Sequence, residues 1–289
     1  MTFGAGRYTY TVDPDWPKRP SKWTYGWSPG MACDSRNRIF VYTRCDHPLL
    51  VFDTSGHLLD SWGEGFLTDA HGIYIDKDDC VFCVERNPHC IHKFDPDGKL
   101  IMTIGTPGQP GAKEGDPFNR PTDLAISSAG DLFISDGYGN SRMHKYTADG
   151  KHVLSWGELG TGPGQFDLSH CVRIDRYDRL WVCDRNNRRI QFFDTEGRYL
   201  DEWGGLLQPN QVWFAPDEDV VYITELDGQI SIYTFDRVLL AQWGKVGKEP
   251  SDAPGYFVGG PHGICMDAEG SLYVGEVFAD GRWHRYVRE

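Results

Sequence analysis

The chain has no apolar run approaching the roughly 18 or more residues that a membrane-spanning helix needs. Its opening residues, Met1-Thr2-Phe3-Gly4-Ala5-Gly6-Arg7, contain no apolar stretch of the signal-peptide kind, so neither a leader nor a membrane span is expected. Positive charge is also scarce: 29 Lys and Arg face 42 Asp and Glu, for a formal net charge of −13. Nucleic acid and anionic membrane surfaces are therefore not expected as partners, because phosphate recognition needs a basic stripe. A third absence is any long segment with apolar residues at helical period. What is present instead is 34 Gly and 17 Pro punctuating short runs of Val, Ile, Tyr, Phe and Trp, which is turn-rich β sequence. The expected class is all-β, and 289 residues with 39% hydrophobic content suffice for a sizeable core.

Eight cysteines are the one feature that suggests cross-links. Cys33, Cys80, Cys83, Cys171, Cys183 and Cys265 fall within predicted strands, where small buried thiols are ordinary, and a reducing, cytoplasmic setting fits them better. Cys80 and Cys83 have CxxC spacing, but an odd offset on a strand sends the two side chains to opposite faces.

A repeat organises the rest. A residue followed by alternating apolar positions recurs at Pro29, His71, Thr122, His170, Asn210 and His262, at spacings of 40 to 52 residues. Each unit continues through a second strand, a third strand with a turn such as Asp95-Pro96-Asp97-Gly98, and a fourth strand closing on a mark such as Trp62-Gly63 or Trp156-Gly157. Four strands at this spacing make one propeller blade, so six units predict a six-bladed β-propeller in one domain spanning 1–289. The last unit ends after three strands. Lys22-Trp23-Thr24-Tyr25-Gly26 resembles an outer strand, so an N-terminal strand is expected to close that blade, leaving residues 1–21 as an arm.

Histidine occupies every second key position: His71, His170 and His262. In a propeller, equivalent residues of alternate blades converge at one depth, and three neutral imidazoles with an open fourth position form a catalytic zinc arrangement, although another divalent ion is compatible. The remaining histidines, His47, His57, His89, His92, His144, His152 and His284, read as surface residues on turns or outer strands. The second strands end in Glu85, Asp136, Asp184, Glu225 and Glu276, with Thr43 in the first unit. Acids so placed are expected to accept backbone N–H bonds from a turn.

The stretch Asp131 to Arg142, with Asp136-Gly137-Tyr138-Gly139-Asn140-Ser141-Arg142, resembles peptidyl-α-hydroxyglycine α-amidating lyases. So do Pro163-Gly164-Gln165-Phe166 before His170 and Asp184-Arg185-Asn186-Asn187. The broader pattern, from about Met31 to Val287, is that of NHL-repeat propellers. The resemblance implies cleavage of a C-terminal hydroxyglycine to an amide and glyoxylate. It implies zinc on the residues matching His71, His170 and His262, a catalytic Tyr matching Tyr138 and a catalytic Arg matching Arg44. Arg86 and Arg185, next to the second-strand acids, are further candidates for holding substrate.

Departures from the family are specific. Asn119 and Gly139 replace one disulfide pair and Trp181 and Phe192 the other, in keeping with a reducing compartment. The family's structural calcium would take carbonyls matching Met31 and Ile73 and an Asp matching Gly263. Without that Asp its only charged ligand is gone, and a hard cation is expected to bind weakly at best. No part of the chain resembles the monooxygenase domain of bifunctional relatives, which weighs against a peptide-hormone substrate.

The implied chemistry is collapse of an N-acyl hemiaminal, which needs a Lewis acid on oxygen and a base in reach. Tyr138 is the candidate base, and Arg44 could grip a substrate carboxylate through a two-pronged pair that Lys could not form. The expected partner is a small acyl-glycine-type molecule. Two other readings stay open: a zinc-dependent hydratase or hydrolase using the same three histidines, and a non-catalytic NHL scaffold.

Overall fold

The repeats fold as the alternation dictates. The computed structural model describes residues 1–111, 117–244 and 253–289. Blade 1 comprises β3 (Gly30–Cys33), β4 (Ile39–Tyr42), β5 (Leu49–Phe52) and β6 (Leu58–Trp62), and blade 2 comprises β7 (Ala70–Ile75), β8 (Val81–Glu85), β9 (Cys90–Phe94) and β10 (Leu100–Ile104). Blade 3 follows with β11 (Asp123–Ile126), β12 (Leu132–Asp136), β13 (Arg142–Tyr146) and β14 (His152–Trp156), and blade 4 with β15 (Ser169–Ile174), β16 (Leu180–Asp184), β17 (Arg189–Phe193) and β18 (Tyr199–Gly204). Blade 5 holds β19 (Pro209–Phe214), β20 (Val220–Glu225), β21 (Gln229–Thr234) and β22 (Leu239–Gly244), and blade 6 holds β23 (Gly260–Met266), β24 (Leu272–Val277) and β25 (Trp283–Arg288). Blades 1 to 5 are each an antiparallel meander in chain order. The architecture is a six-bladed β-propeller, and its helical content among the described residues is the short α1 (Gly137–Asn140).

Two compact units divide the chain. One holds residues 1–67 and 210–289, with blades 1, 5 and 6, and the other holds residues 68–209, with blades 2, 3 and 4. Within the second unit, Phe133 and Met143 of blade 3 pack with Val172, Val182 and Phe193 of blade 4, and Phe82 and Ile91 of blade 2 pack with Leu124 and Ile134 of blade 3. The second strands are therefore apolar on both faces: all five residues of β12 and of β16 are buried. The fourth strands face water on one side, as β6 and β14 show.

Turn residues do what their chemistry predicts. In Asp95-Pro96-Asp97-Gly98 the Asp95 carboxylate accepts the N–H groups of Asp97 and Lys99 at 3.0 and 2.9 Å, while Gly98 adopts φ 80°. The same carboxylate geometry recurs at Asp194, which accepts from Glu196 and Arg198 at 2.9 Å each.

An N-terminal strand closes blade 6 as expected, but a different segment supplies it. Lys22–Gly26 is not a strand. Residues 1–21 instead contain β1 (Thr2–Ala5) and β2 (Tyr8–Asp13), and β2 pairs with β25 from Tyr10↔Arg288 to Asp13↔Arg285, with β1 as a fifth strand outside it. The reason is visible in the period of two: Tyr8, Tyr10 and Val12 are buried while Thr9, Thr11 and Asp13 are not. The Lys22–Gly26 stretch follows Pro17 and Pro20 and is used for packing, with Trp23 stacked on His47 at 3.6 Å and Tyr25 edge-on to Trp283 at 5.2 Å.

Tyr10 makes this closure testable, since it is fully buried, lies 5.5 Å from Trp243 between ring centroids and bonds the Tyr222 hydroxyl at 3.0 Å. Tyr10→Ala is expected to cost about 3–5 kcal/mol in denaturant unfolding, the range for deleting a buried aromatic. A loss below about 1 kcal/mol would mean that the N-terminal strand is dispensable.

Candidate functional site

Three of the inner strands carry an irregularity where their histidine sits. Pairing between β7 and β8 shifts register between Ala70 and Ile73, that between β15 and β16 between Ser169 and Cys171, and that between β23 and β24 between Pro261 and Ile264. The inner strands of blades 1 and 3, which lack the histidine, pair without a shift. A bulge re-aims a side chain, so the local backbone as well as the residue is specialised at these positions.

His71 and His170 lie in the same unit, both buried, with ring centroids 4.9 Å apart. The His71 Nδ1–H donates to the backbone oxygen of Thr122 at 2.6 Å, which makes Nε2 the acceptor nitrogen of the ring. In the other unit His262, also buried, donates Nδ1–H to the backbone oxygen of Pro29 at 2.7 Å. One ring nitrogen from each of His71, His170 and His262 lies within 4.8 Å of the others, a set able to hold a metal ion. The rings of His71 and His262 are thus oriented by backbone carbonyls, as metal-binding imidazoles commonly are.

Tight packing explains the residue after each of two histidines. A Cβ at Gly72 would lie 2.6 Å from the Thr122 oxygen, and one at Gly263 would lie 2.6 Å from the Met31 nitrogen and 2.7 Å from the Pro29 oxygen. Position 263 therefore has no room for an acidic side chain, and the calcium set implied around Met31 and Ile73 does not fit this chain.

Tyr138 sits on α1, the turn that follows β12, with its hydroxyl 3.3 Å from His71 Nε2 and its ring 6.1 Å from that of His170. Two guanidinium groups flank the ring: Arg86 at 5.5 Å and Arg185 at 5.8 Å. Arg86 is held there by Asp69, which accepts its Nε–H at 3.0 Å. Five of the site residues named from sequence, His71, His170, Tyr138, Arg86 and Arg185, are thus neighbours within one unit. Arg44 is in the other unit, where its backbone N–H donates to the Trp27 oxygen at 2.8 Å and its guanidinium lies over the Trp27 indole at 5.4 Å.

The second-strand acids serve the loops, as their position suggested. Glu85 accepts the Thr68 and Asp69 N–H groups, Asp136 that of Asn119, Asp184 that of Asp167, and Glu276 those of Val258 and Gly259. Three histidines read as surface residues are instead buried on third strands, namely His92, His144 and His284. Burial pushes His92 down to about 4, so it is neutral at physiological pH. The third strands lie inside each sheet, and the histidines there face the acid or a hydroxyl: His284 meets Glu276 at 2.6 Å and His144 meets Asp136 at 3.3 Å.

Asp69 was missed altogether. The available signal was an acid just ahead of the inner strand, repeated at Asp167 before Ser169-His170, where Asp167 accepts from Asn186.

At the two positions where the resembling family is cross-linked, this chain packs without covalent bonds. The Asn119 side chain occupies the space beside Gly139, since a Cβ there would meet its Cγ at 2.2 Å, and Trp181 and Phe192 pair edge-to-face at 4.7 Å between β16 and β17. All eight cysteines are free thiols.

Comparison with known proteins agrees with this picture. An NHL-repeat family model matches residues 118–146. The chain is 33% identical over 244 residues to NHL repeat-containing protein 3 of Homo sapiens, covering 78% of this chain and 70% of that protein, and it belongs to the NHL-repeat family. It is 33% identical over 228 residues to the peptidylglycine alpha-amidating monooxygenase of Rattus norvegicus, covering 66% of this chain and 23% of that protein. It is 29% identical over 197 residues to peptidyl-alpha-hydroxyglycine alpha-amidating lyase 1 of Drosophila melanogaster, covering 64% of this chain and 35% of that protein. The chain thus spans about a quarter to a third of these two amidating relatives. Among solved structures, a streptogramin B lyase shares the fold, with a TM-score of 0.68 at 14% identity over 99% of this chain and all of that one. No described helix is long and apolar enough to cross a membrane.

Burial raises the thiol of Cys90 to about 12 and pushes Cys83, Cys171 and Cys265 well above their usual range, so few thiolates exist at pH 8. Thiol titration of denatured, unreduced protein should count eight, while the folded protein reacts slowly. A count of six or fewer in fresh protein overturns the all-thiol state.

Proposed function

We propose that this chain is a metal-dependent lyase that cleaves the C–N bond of an N-acyl hemiaminal of the α-hydroxyglycine kind, giving an amide and a carbonyl product such as glyoxylate. The observation that carries the reading is the set of three buried histidines with the Tyr138 hydroxyl 3.3 Å from one of them. Similarity to proteins named amidating lyases supports the same reaction class. His71, His170 and His262 would hold the ion, most simply zinc, and when bound it supplies a Lewis acid for a substrate oxygen.

The chain's own residues then have distinct tasks. Tyr138 takes the hydroxyl proton of the hemiaminal as the C–N bond breaks and passes it to the departing amide nitrogen, so that a neutral amide and the carbonyl product result. Arg44 grips the substrate carboxylate with its planar fork, a geometry that Lys lacks. Arg86 and Arg185, on either side of the Tyr138 ring, attract an anionic substrate in a protein whose net charge of −13 otherwise repels one. Eight free thiols accord with a cytoplasmic location.

Elemental analysis should find about one zinc per chain, lost when any one of the three histidines is changed to Ala. Full metal retention in the triple variant would end the reading and favour a non-catalytic scaffold.

Kinetics with N-acyl-α-hydroxyglycines, read as glyoxylate release, test the chemistry. Tyr138→Phe keeps the ring and should retain metal while turnover falls roughly a hundredfold or more. Arg44→Lys should raise KM more than Arg86→Lys does. Unchanged turnover in Tyr138→Phe would remove Tyr138 as the base and point to a hydratase or hydrolase.

A further inference from the structure

Blade 3 holds a chain of hydrogen bonds that ends under Tyr138 and that the proposed reaction does not use. The buried Asp136 carboxylate accepts the Asn119 N–H at 3.0 Å, the Asn140 side-chain amide at 2.7 Å and the His144 Nε2–H at 3.3 Å. Asn119 precedes the inner strand, and Asn140 closes the turn Gly137–Asn140 on which Tyr138 is carried. The Asp136 carboxylate thus ties the far end of the turn that presents the phenol to the segment ahead of the inner strand. His144 Nδ1 meets the Ser155 hydroxyl at 2.7 Å, and that hydroxyl meets His152 Nε2 at 2.7 Å.

The pattern fixes the imidazole tautomer. A carboxylate can only accept, so Nε2 must carry the proton toward Asp136, and Nδ1 must then accept from the Ser155 hydroxyl. The other tautomer would set a lone pair against the carboxylate. The neighbouring blade shows what the position requires: Gln191, opposite Val182 as His144 is opposite Ile134, donates to Asp184 at 3.1 Å. A neutral N–H donor of the right length is the common element.

We infer that His144 is a positioning residue for Tyr138, acting through Asp136 with its ring held at Nδ1 by the Ser155 hydroxyl. The inference rests on the reading of Tyr138 as the base. A slack Asp136 would let the Gly137–Asn140 turn shift, and misplacing a base by about 1 Å costs up to about a hundredfold in turnover.

The test compares His144→Leu, His144→Gln and Ser155→Ala, with zinc content, kcat and KM on an N-acyl-α-hydroxyglycine, and amide hydrogen exchange at residues 137–140. His144→Leu should lower kcat about ten- to a hundredfold with KM and zinc unchanged. His144→Gln should recover most of that loss, and Ser155→Ala should lower kcat by a few fold because the ring loses the hydroxyl that holds its Nδ1 end. Equal losses in the Leu and Gln variants, or an unaffected kcat in the Leu variant, overturn the inference. If His144→Leu does not fold, Ser155→Ala carries the test, and an unchanged kcat there overturns it. If the unaltered protein turns over no hydroxyglycine, the lyase reading fails by itself. Exchange then decides the clasp: amides at 137–140 open faster in the Leu and Ala variants than in the Gln variant, or the clasp is absent.

Discussion

The site depends on one rule applied at the start of four of the inner strands: a polar side chain buried there finds a carbonyl in the following blade. His71 donates to Thr122, Thr122 to Ser169, Asn210 to Pro261, and His262 to Pro29. The same bonds that stitch successive blades within each unit also aim the imidazoles. Because Nδ1–H is consumed by the stitch, Nε2 is left with its lone pair, and a structural bond becomes a ligand-presenting one. Gly72 and Gly263 are the cost of that stitch, as each gives up its side chain to let the next blade's backbone approach within 3 Å.

A second layer of bonds sets the loops. The acids Glu85, Asp136, Asp184 and Glu276 at the ends of second strands are buried and draw in the segments leading to their own inner strands, and the residues directly after the acid are the ones that reach the rim. Arg86 after Glu85, Tyr138 two after Asp136, and Arg185 after Asp184 are all presented in this way. An ordinary fold-stabilising acid therefore fixes where a site side chain begins. Asp69 adds a further tie by holding the Arg86 side chain itself over Tyr138.

Much of this was legible in the sequence because a repeat supplies its own alignment. Blade count, strand order and the three histidines came from register, and register in a period-two element is stringent. What was not legible came from contacts between elements far apart in the chain. Closure by Tyr8–Asp13 was hidden because polar Thr9 and Thr11 dilute the apolar signal of a strand with one face toward water. The third-strand histidines looked like surface residues because sequence gives no sign that their partners are Asp136, Glu276 and, for His92, the Thr103 hydroxyl. The bulges beside His71, His170 and His262 have no sequence signature beyond the glycines that follow two of them.

The chain also shows how a family framework survives the loss of its cross-links. A disulfide contributes about 2–4 kcal/mol, chiefly by restricting the unfolded chain, whereas an edge-to-face aromatic pair adds about 0.5–1.5 kcal/mol beyond its buried area. Trp181 narrows that difference because it is also buried and its indole N–H donates to Asp175 at 2.9 Å. Deeper in the same unit Arg173 is buried against Asp123, with further bonds to the Leu124 and Val172 oxygens. Burial opposes the charge on Arg173, and the Asp123 carboxylate more than offsets it, so the guanidinium stays protonated inside the unit. Replacing both members of such a pair by apolar groups can be nearly neutral, but removing one strands a buried charge. The pair therefore enforces the register of β11, which directly follows Thr122, against β15, which carries His170, whatever its net contribution to stability.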